Sequence, residues 1–141
     1  MSPGKYLQLR RAHTGLGLIQ AAATMAALPW TVRNPGPTAK NRAHARLLAA
    51  EEDREHFTLP EVESLGTVIP LDPQVYVQLV DLHLAGPTAC LPRPQVCREC
   101  ACSWMDPCLS DHAEPCAWAE ANLCTTCAER EIPALQIGEA A

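Results

Sequence analysis

The chain has 141 residues, and its composition leaves little material for a large apolar core. Nominally hydrophobic residues make up 48% of it, but 22 of them are alanine and eight are cysteine, while leucine, isoleucine, valine and phenylalanine together number only 29. Such a chain suffices for one small domain, with at most a satellite held by something other than apolar burial. Rossmann folds, barrels and other large catalytic scaffolds need longer chains and are excluded.

The net charge of −5 conceals an uneven distribution of charged residues. Residues 1–50 contain seven basic residues and no acidic residue, residues 51–90 contain eight acidic residues and one arginine, and residues 91–141 contain eight acidic and three basic residues. An anionic partner would therefore meet the basic segment, residues 1–50. The alternative is that the basic and acidic parts face each other, within one fold or across a homo-oligomer.

The N-terminal segment, residues 1–28, has two interpretations. Its apolar stretch 15–28 follows a basic segment, which is the order found in a secretory signal peptide, and cleavage would make the protein a secreted one. However, polar residues interrupt the stretch, Pro29-Trp30 follows it, and it is too short to span a membrane. We therefore favour a cytoplasmic protein in which this stretch is an alanine-rich helix of about 14 residues. One stripe of that helix is predicted to pack Leu16, Ile19, Ala23 and Ala27.

A second helix is predicted from Lys40 to about His56, after prolines and a glycine within residues 33–38 break the first. Its apolar positions are few, and its charges run from basic to acidic, opposite to the order that the helix dipole favours. We therefore expect this helix to contact a partner or to be marginally ordered. An extended segment is predicted around residues 66–70.

The best-marked helix begins at Asp72-Pro73 and ends at Gly86-Pro87. Aspartate is a good N-cap, proline suits the first helical position, and a glycine followed by proline is a usual stop. His83 is expected on the surface of this helix and not as a metal ligand. The predicted apolar face consists of Val75, Leu79, Val80 and Leu84.

All eight cysteines lie in the segment from Cys90 to Cys127. Two Cys-x2-Cys pairs, Cys97 with Cys100 and Cys124 with Cys127, can each present two thiolates from one tight turn to the same metal. Together they would form a closed tetrahedral tetrathiolate site, which zinc prefers. The stretch between the pairs, residues 101–123, is slightly longer than is usual in zinc ribbons and fingers. The pattern therefore indicates a metal site and favours zinc.

Three further thiols lie between the two pairs: Cys102, Cys108 and Cys116, with His112 between the last two. These four residues could form a second, Cys3His zinc site. Alternatively, they could share thiolates with the first site, because Cys100 and Cys102 are only two positions apart. The predicted number of zinc ions is therefore one or two.

Two other uses of the cysteines stay open. Four disulfides would suit a secreted chain, although bridging within Cys-x2-Cys closes a small, strained ring. An iron–sulfur cluster also uses four thiolates, and the crowding of cysteines in residues 97–108 is similar to ferredoxin runs without matching their spacings. Cys90, seven positions before Cys97, is expected to be a buried or free thiol.

Three stretches of this segment, Cys97–Cys102, Cys116–Trp118 and Leu123–Cys127, form a pattern. It resembles a segment of small, mostly uncharacterised proteins of bacteriophages and prophages, which has the form C-x2-C-G-C, a further Cys, C-x-W and D-L-C-x2-C. This chain has Ala101 in place of the glycine, Asn122 in place of the aspartate, and a longer insert before the C-x-W. The resemblance is confined to residues 97–127 and implies a phage-type cytoplasmic protein with a structural metal, with no established activity.

These patterns predict a small, mainly α protein in three parts. Residues 1–89 form a helical region with a basic N-terminal part and an acidic second part, and residues 132–141 are a tail. Between them, residues 90–131 form a cysteine-rich metal-binding module of the zinc-finger type, either a treble clef or a ribbon. Its first residues belong to a stiff, proline-rich connector, 87–95.

The cysteine-rich module favours neither nucleic-acid binding nor catalysis. Between its first and last cysteine pair five acidic residues face Arg98 alone, and a tetrathiolate zinc adds negative charge, so phosphate would be repelled. Aromatic stacking platforms are lacking, and we expect Trp104 and Trp118 to cover the metal instead. Residues 111–116 superficially resemble a base-deaminase motif, but no second cysteine follows at the required spacing. The protein is therefore not predicted to be an enzyme.

The sequence thus predicts a small zinc-binding protein that acts by macromolecular interaction, as an inhibitor or regulator of host machinery through protein binding. The acidic module and the acidic segment 51–63 would suit a basic surface on a host or phage protein. The first alternative is a DNA- or RNA-contacting regulator, and the second is an iron–sulfur electron carrier. The residues that would contact nucleic acid in the first alternative are Arg33, Lys40, Arg42 and Arg46.

Overall fold

The structure of the protein, a computed structural model, describes residues 1–28, 38–109 and 112–131. The chain divides into two units, Met1–Pro94 and Gln95–Ala141. The described residues form six α-helices and one two-stranded sheet, so the protein is small and mainly helical, as predicted. Arg33 and the predicted tail lie outside the described residues. The elements are α1 (Pro3–His13), α2 (Leu18–Met25), α3 (Thr38–Glu51), α4 (Leu59–Leu65), α5 (Pro73–Ala85), β1 (Trp118–Glu120), β2 (Leu123–Cys124) and α6 (Thr125–Glu131).

The first unit has an apolar core of its own, formed by five helices. Helix α1 packs against α3 and α5, α2 packs against α3, and α4 packs against α5. Two tyrosines fix the packing by accepting hydrogen bonds from distant backbone: Tyr6 Oη from the N–H of Asp72 (2.9 Å) and Tyr76 Oη from the N–H of Phe57 (3.0 Å). The largest fully buried apolar side chains are Tyr6, Leu7, Met25, Leu47, Val62, Leu65, Ile69 and Tyr76.

Helices α1 and α3 approach each other closely where α1 begins. A Cβ atom at Gly4 would overlap the carbonyl oxygens of Ala50 and Glu51, so only glycine fits there without movement of backbone. The N–H of Gly4 donates to Asp53 Oδ1 at 2.7 Å. Asp53 itself has a positive φ of 58°, in the turn that follows α3. The first turn of α1 therefore packs directly against the C-terminal end of α3.

The alanine-rich helix exists, but its predicted length and buried stripe are wrong. Helix α2 has 8 residues, and it buries Ala21, Ala22 and Met25 while Ile19 is 75% exposed. Helix α2 packs on α3, and α1, which the sequence analysis did not predict, supplies Tyr6 and Leu7 to the same core, so Ile19 is left facing solvent. In the described part of the chain no helix has the length and apolar character needed to cross a membrane.

Helix α3 is part of the core, so the expectation of marginal order is wrong, while the expectation of a partner stays a prediction. It ends at Glu51, five positions before the predicted end, and it packs against both α1 and α2. Its short side chains permit close packing, so a helix with few large apolar residues is still buried along one face. The buried residues of α3 are Ala39, Ala43, Leu47, Ala49 and Ala50.

The basic and acidic parts of residues 1–90 face each other within this unit, which was one of the two alternatives. The guanidinium of Arg11 donates twice to the carboxylate of Glu51, at 2.6 and 2.9 Å. Arg46 donates to Glu61 at 2.6 Å and to Glu55 at 3.2 Å. The charge asymmetry along the chain therefore reflects, at least at these positions, internal pairing.

The predicted extended segment at residues 66–70 is wrong, because turns that directly follow α4 occupy this region. Helix α4 begins with a capping box, in which Glu61 Oε1 accepts from the N–H and hydroxyl of Thr58. After it, the N–H groups of Val68 and Ile69 both donate to the carbonyl of Leu65. The apolar residues that suggested a strand instead form the turns after α4, and one of them, Ile69, is fully buried.

Helix α5 confirms the prediction from local capping signals. It runs from Pro73 to Ala85, Asp72 Oδ1 accepts from the N–H of Gln74 at 2.9 Å, and Gly86 has a φ of +87°. His83 is exposed, as predicted. The apolar face is shifted from the predicted one, since Leu84 is 69% exposed. The buried residues of α5 are Val75, Tyr76 and Leu79.

Candidate metal centre

The first cysteine pair lies in a tight turn at the start of the second unit. The N–H of Ala101 donates to the carbonyl of Cys97 at 2.9 Å, and the N–H of Cys97 donates to the carbonyl of Cys102 at 3.0 Å. Ala101 has a positive φ of 60°, which lets the chain reverse between Cys100 and Cys102. The turn therefore directs the thiols of residues 97, 100 and 102 towards one region.

The second cysteine pair is placed by the antiparallel hairpin β1–β2 and by helix α6. Cys124 is the last residue of β2, and Cys127 lies in the first turn of α6. The N–H of Arg98 donates to the carbonyl of Asn122 at 2.8 Å, which joins the first turn to the hairpin. The N–H of Cys124 also points to Cys97 Sγ, at 3.5 Å. These contacts bring together two cysteine pairs that are far apart in the sequence.

The two middle cysteines reach the same region from the loop between the pairs. The N–H of Cys116 donates to the carbonyl of Cys108 at 2.8 Å, so these residues lie side by side. Their sulfurs meet those of the first turn: Cys108 Sγ is 3.2 Å from Cys100 Sγ, and Cys116 Sγ is 3.7 Å from Cys102 Sγ. All seven cysteines from 97 to 127 therefore belong to one cluster.

Two groups of four thiols have the geometry of a metal site. Within each group the sulfurs all lie within 4.8 Å of one another. Four sulfurs around a zinc ion at about 2.3 Å would be roughly 3.8 Å apart, and Cys100 Sγ and Cys124 Sγ are separated by 3.8 Å. The first group is Cys97, Cys100, Cys124 and Cys127, and the second is Cys100, Cys102, Cys108 and Cys124.

Two side chains of the cysteine-rich segment, those of His112 and Cys90, do not belong to the thiol cluster. His112 is exposed and belongs to neither group of ligands found among the described residues. Cys90 is an exposed free thiol in the first unit, which fits the expectation that it is not a ligand. The structure thus gathers the predicted cysteines and leaves out the predicted histidine.

The interior of the second unit consists mainly of sulfur. Trp118 and Ala128 pack against it, as do the partly buried Cys100 and Cys116. Trp118 therefore covers the cluster as expected, but Trp104 does not, since it is 81% exposed. It lies in a turn closed by mutual backbone hydrogen bonds between Ser103 and Asp106, outside the packed centre. The buried core residues are Cys97, Cys102, Cys108, Leu123, Cys124 and Cys127.

The electrostatics of the cluster favour one anionic sulfur at its centre. A hydrogen bond from the Cys102 thiol, aided by its N–H and by the Cys108 thiol, lowers the pKa of Cys100 to about 3 in spite of burial. The same bond raises the pKa of Cys102, while burial raises the pKa of Cys127 and brings that of Cys108 to about 12. Because metal ligands must be thiolates, a cation that enters the cluster displaces protons from these thiols.

An exposed apolar surface lies beside the cysteine cluster, and the sequence analysis did not predict it. Trp104 is 81% exposed, Met105 77% and Leu109 63%. Next to them is a groove of about 370 Å³. The sequence signal was the apolar pair Trp104-Met105, whose neighbours within residues 103–108 are polar, proline or cysteine. The groove is lined by Ser103, Trp104, Pro107, Pro115, Cys116, Ala117 and Trp118.

The residues predicted to contact nucleic acid do not form a uniform basic surface. Lys40 and Arg42 are exposed on α3. Arg46 is paired with two carboxylates, and its guanidinium carbon lies 5.2 Å from the ring centroid of Phe57. Its charge is therefore largely balanced within the first unit.

No family model, curated protein or solved structure matches this chain. The function must therefore be inferred from the cysteine cluster and from the surfaces of the described residues.

Proposed function

We propose that the second unit is a zinc-stabilised module through which the protein binds another protein. The observation that carries the proposal is that two groups of four thiols, each within 4.8 Å, occupy the place where a domain of this size would have an apolar core. A bound cation converts these thiols to thiolates and offsets the repulsion between them. A closed tetrathiolate site suits a structural zinc ion, whose binding energy then supplies the folding energy that apolar burial cannot.

A treble clef is the zinc-finger type that we propose for this module. Its order is a cysteine-bearing turn, a β-hairpin, and a helix that carries the second cysteine pair at its start. Residues 97–102, the hairpin β1–β2 and helix α6 follow this order. A ribbon, the other type considered, would need a further hairpin in place of α6.

A structural role for the metal is favoured over a catalytic one. Catalytic zinc keeps a position open for water or substrate and usually has histidine or carboxylate ligands. In this cluster the ligands are thiols, six of which form the two groups, and the only nearby histidine of the segment, His112, is exposed. The same ligand set would also accept an iron–sulfur cluster, which visible absorbance distinguishes from zinc.

The partner that we propose is a protein with an apolar pocket bordered by lysine or arginine. Exposed tryptophan and methionine are typical anchors of protein interfaces, and Trp104 and Met105 lie together at the tip of one turn. The exposed charge of the second unit is acidic on balance, because Glu99, Glu114 and Glu120 outnumber Arg98, which forms ion pairs with Glu99 and Glu120. The resemblance to phage proteins favours a bacterial host protein as this partner, with regulation or inhibition as the outcome.

Nucleic-acid binding through the basic segment 1–50 is the weaker candidate. Phosphate binding requires cations whose counterions can be released, and Arg46 already forms ion pairs with Glu55 and Glu61. If nucleic acid were nevertheless the target, retention would fall steeply with salt and would be lost after Arg42→Ala.

A binding experiment with matched variants tests the proposed function. The zinc-loaded chain is immobilised and incubated with host lysate, with and without nuclease treatment. It is compared with the double variant Trp104→Ala, Met105→Ala. The control is Leu84→Ala, which removes a 69% exposed side chain from the first unit. Loss of a specific host protein in the double variant alone, at unchanged zinc content, is the expected result. Retention that is equal in all three proteins, or abolished by the nuclease, would contradict the proposal.

A further inference from the structure

We infer that the second unit holds two divalent ions of the zinc type in sites that share the thiolate of Cys100. The inference rests on the metal-binding part of the proposed function and adds the number of ions and the arrangement of their ligands. It does not depend on the identity of the protein partner.

The count of ligands requires a shared thiolate. Two tetrahedral ions need eight ligand positions in total, and this cluster gathers seven thiols. The eighth cysteine, Cys90, is exposed in the other unit, and His112 is exposed outside both groups. With seven thiols and eight positions, one sulfur must bind both ions. A single ion, by contrast, would use four thiols and leave three at close range without a role.

Cys100 is the sulfur placed to bridge the two ions. Cys100 and Cys124 both belong to the two groups of four. Of these two, Cys100 has the close contact to a thiol that belongs to the second group alone: its sulfur is 3.2 Å from that of Cys108, and it is also 3.8 Å from that of Cys124. A disulfide would satisfy only one of these neighbours, since each sulfur forms one S–S bond. A bridging thiolate can satisfy both, because its lone pairs bind two cations.

The fourth ligand of the second ion is Cys116. Cys124 is the fourth thiol of the second group, but we assign it to the first ion with Cys127, its partner in the Cys-x2-Cys pair, and Cys116 takes its place. Cys116 Sγ lies 3.7 Å from Cys102 Sγ, close to the roughly 3.8 Å expected between two ligands of one zinc. Its N–H donates to the carbonyl of Cys108, which holds the backbone of both ligands together. The first ion then binds residues 97, 100, 124 and 127, and the second binds residues 100, 102, 108 and 116.

The metal content of the full chain tests the count. Mass spectrometry under non-denaturing conditions and elemental analysis are expected to give two zinc ions per chain, and the control Cys90→Ser is expected to keep both. Cys116→Ser is expected to retain one, because the first site keeps its four thiolates. One ion in the wild-type chain would overturn this inference and leave the proposed module intact, whereas a reduced chain without metal would overturn both.

The shared thiolate has its own spectroscopic test in the wild-type chain, so the inference does not depend on a variant that folds. Zinc is replaced by an NMR-active cadmium isotope, and two cadmium resonances with scalar coupling to each other are expected, since coupling passes through a common sulfur. Two resonances without mutual coupling would overturn the bridge at Cys100.

Discussion

Alanine 101 adopts a backbone conformation that glycine adopts more easily. Its φ is +60°, its side chain is 1% exposed, and it lies between two cysteines of the cluster. An alanine in the left-handed region is strained, but it also fills space that a glycine would leave empty. A β-branched side chain at this position would be more strained in the left-handed region and would be too large for the space that the alanine methyl fills.

Ala101→Val is therefore expected to weaken metal retention, with a cost of roughly 1–3 kcal/mol from backbone strain and crowding. Ala101→Gly is expected to bind metal about as well as the wild type, because relief of strain offsets the lost methyl burial. Competition with a coloured chelator measures the retention. The control is Ala119→Val, an exposed position in β1 where a β-branched residue is favourable. Equal retention in the two valine variants would show that the turn at residue 101 does not position the thiols.

Among the elements, the contact between α1 and α3 depends most on a single residue. Gly4→Ala would improve helix propensity in α1 by about 1 kcal/mol, but its methyl group would meet backbone oxygens of Ala50 and Glu51. We expect a net loss of roughly 1–3 kcal/mol in the stability of the first unit. Chemical denaturation followed by the helical circular-dichroism signal measures it, with Gln8→Ala on the exposed face of α1 as the control. A variant more stable than the wild type would mean that the two helices do not approach as described.

The elements differ in how far the sequence predicted them, and the difference is physical. Helix α5 was predicted because its start and stop signals are local: Asp72 and Gly86 act within one turn. Helix α1 was missed because its basic residues suggested a leader segment, although Tyr6 and Leu7 are fully buried in the core. Which face of α2 would be buried could not be predicted. It depends on which neighbouring helix packs against α2, and that contact buries Ala21 and Ala22 while Ile19 stays exposed.

At the scale of the whole molecule, the two units have interiors of different chemistry. The first unit is held by apolar side chains and by ion pairs such as Arg11 with Glu51. The second has a core of thiols with one buried leucine, Leu123. The sequence predicted the cysteine cluster because cysteine spacing carries its own geometric meaning. It also predicted the group Cys97, Cys100, Cys124 and Cys127. It did not predict that Cys124 would lie within reach of Cys102 and Cys108, or that Trp104 would face solvent, because those depend on how the loop between the pairs folds.

The measurement that tests the central claim most directly is an NMR spectrum of the reduced, full-length chain before and after removal of metal by a chelator, with elemental analysis of both samples. Zinc is expected in the first sample, with dispersed backbone signals from residues 97–127. After chelation these signals are expected to collapse to random-coil positions while those of the first unit stay in place. Cys124→Ser should give the same spectrum without a chelator. A purified, reduced chain that carries no metal and still shows dispersed signals over residues 97–127 would contradict the account.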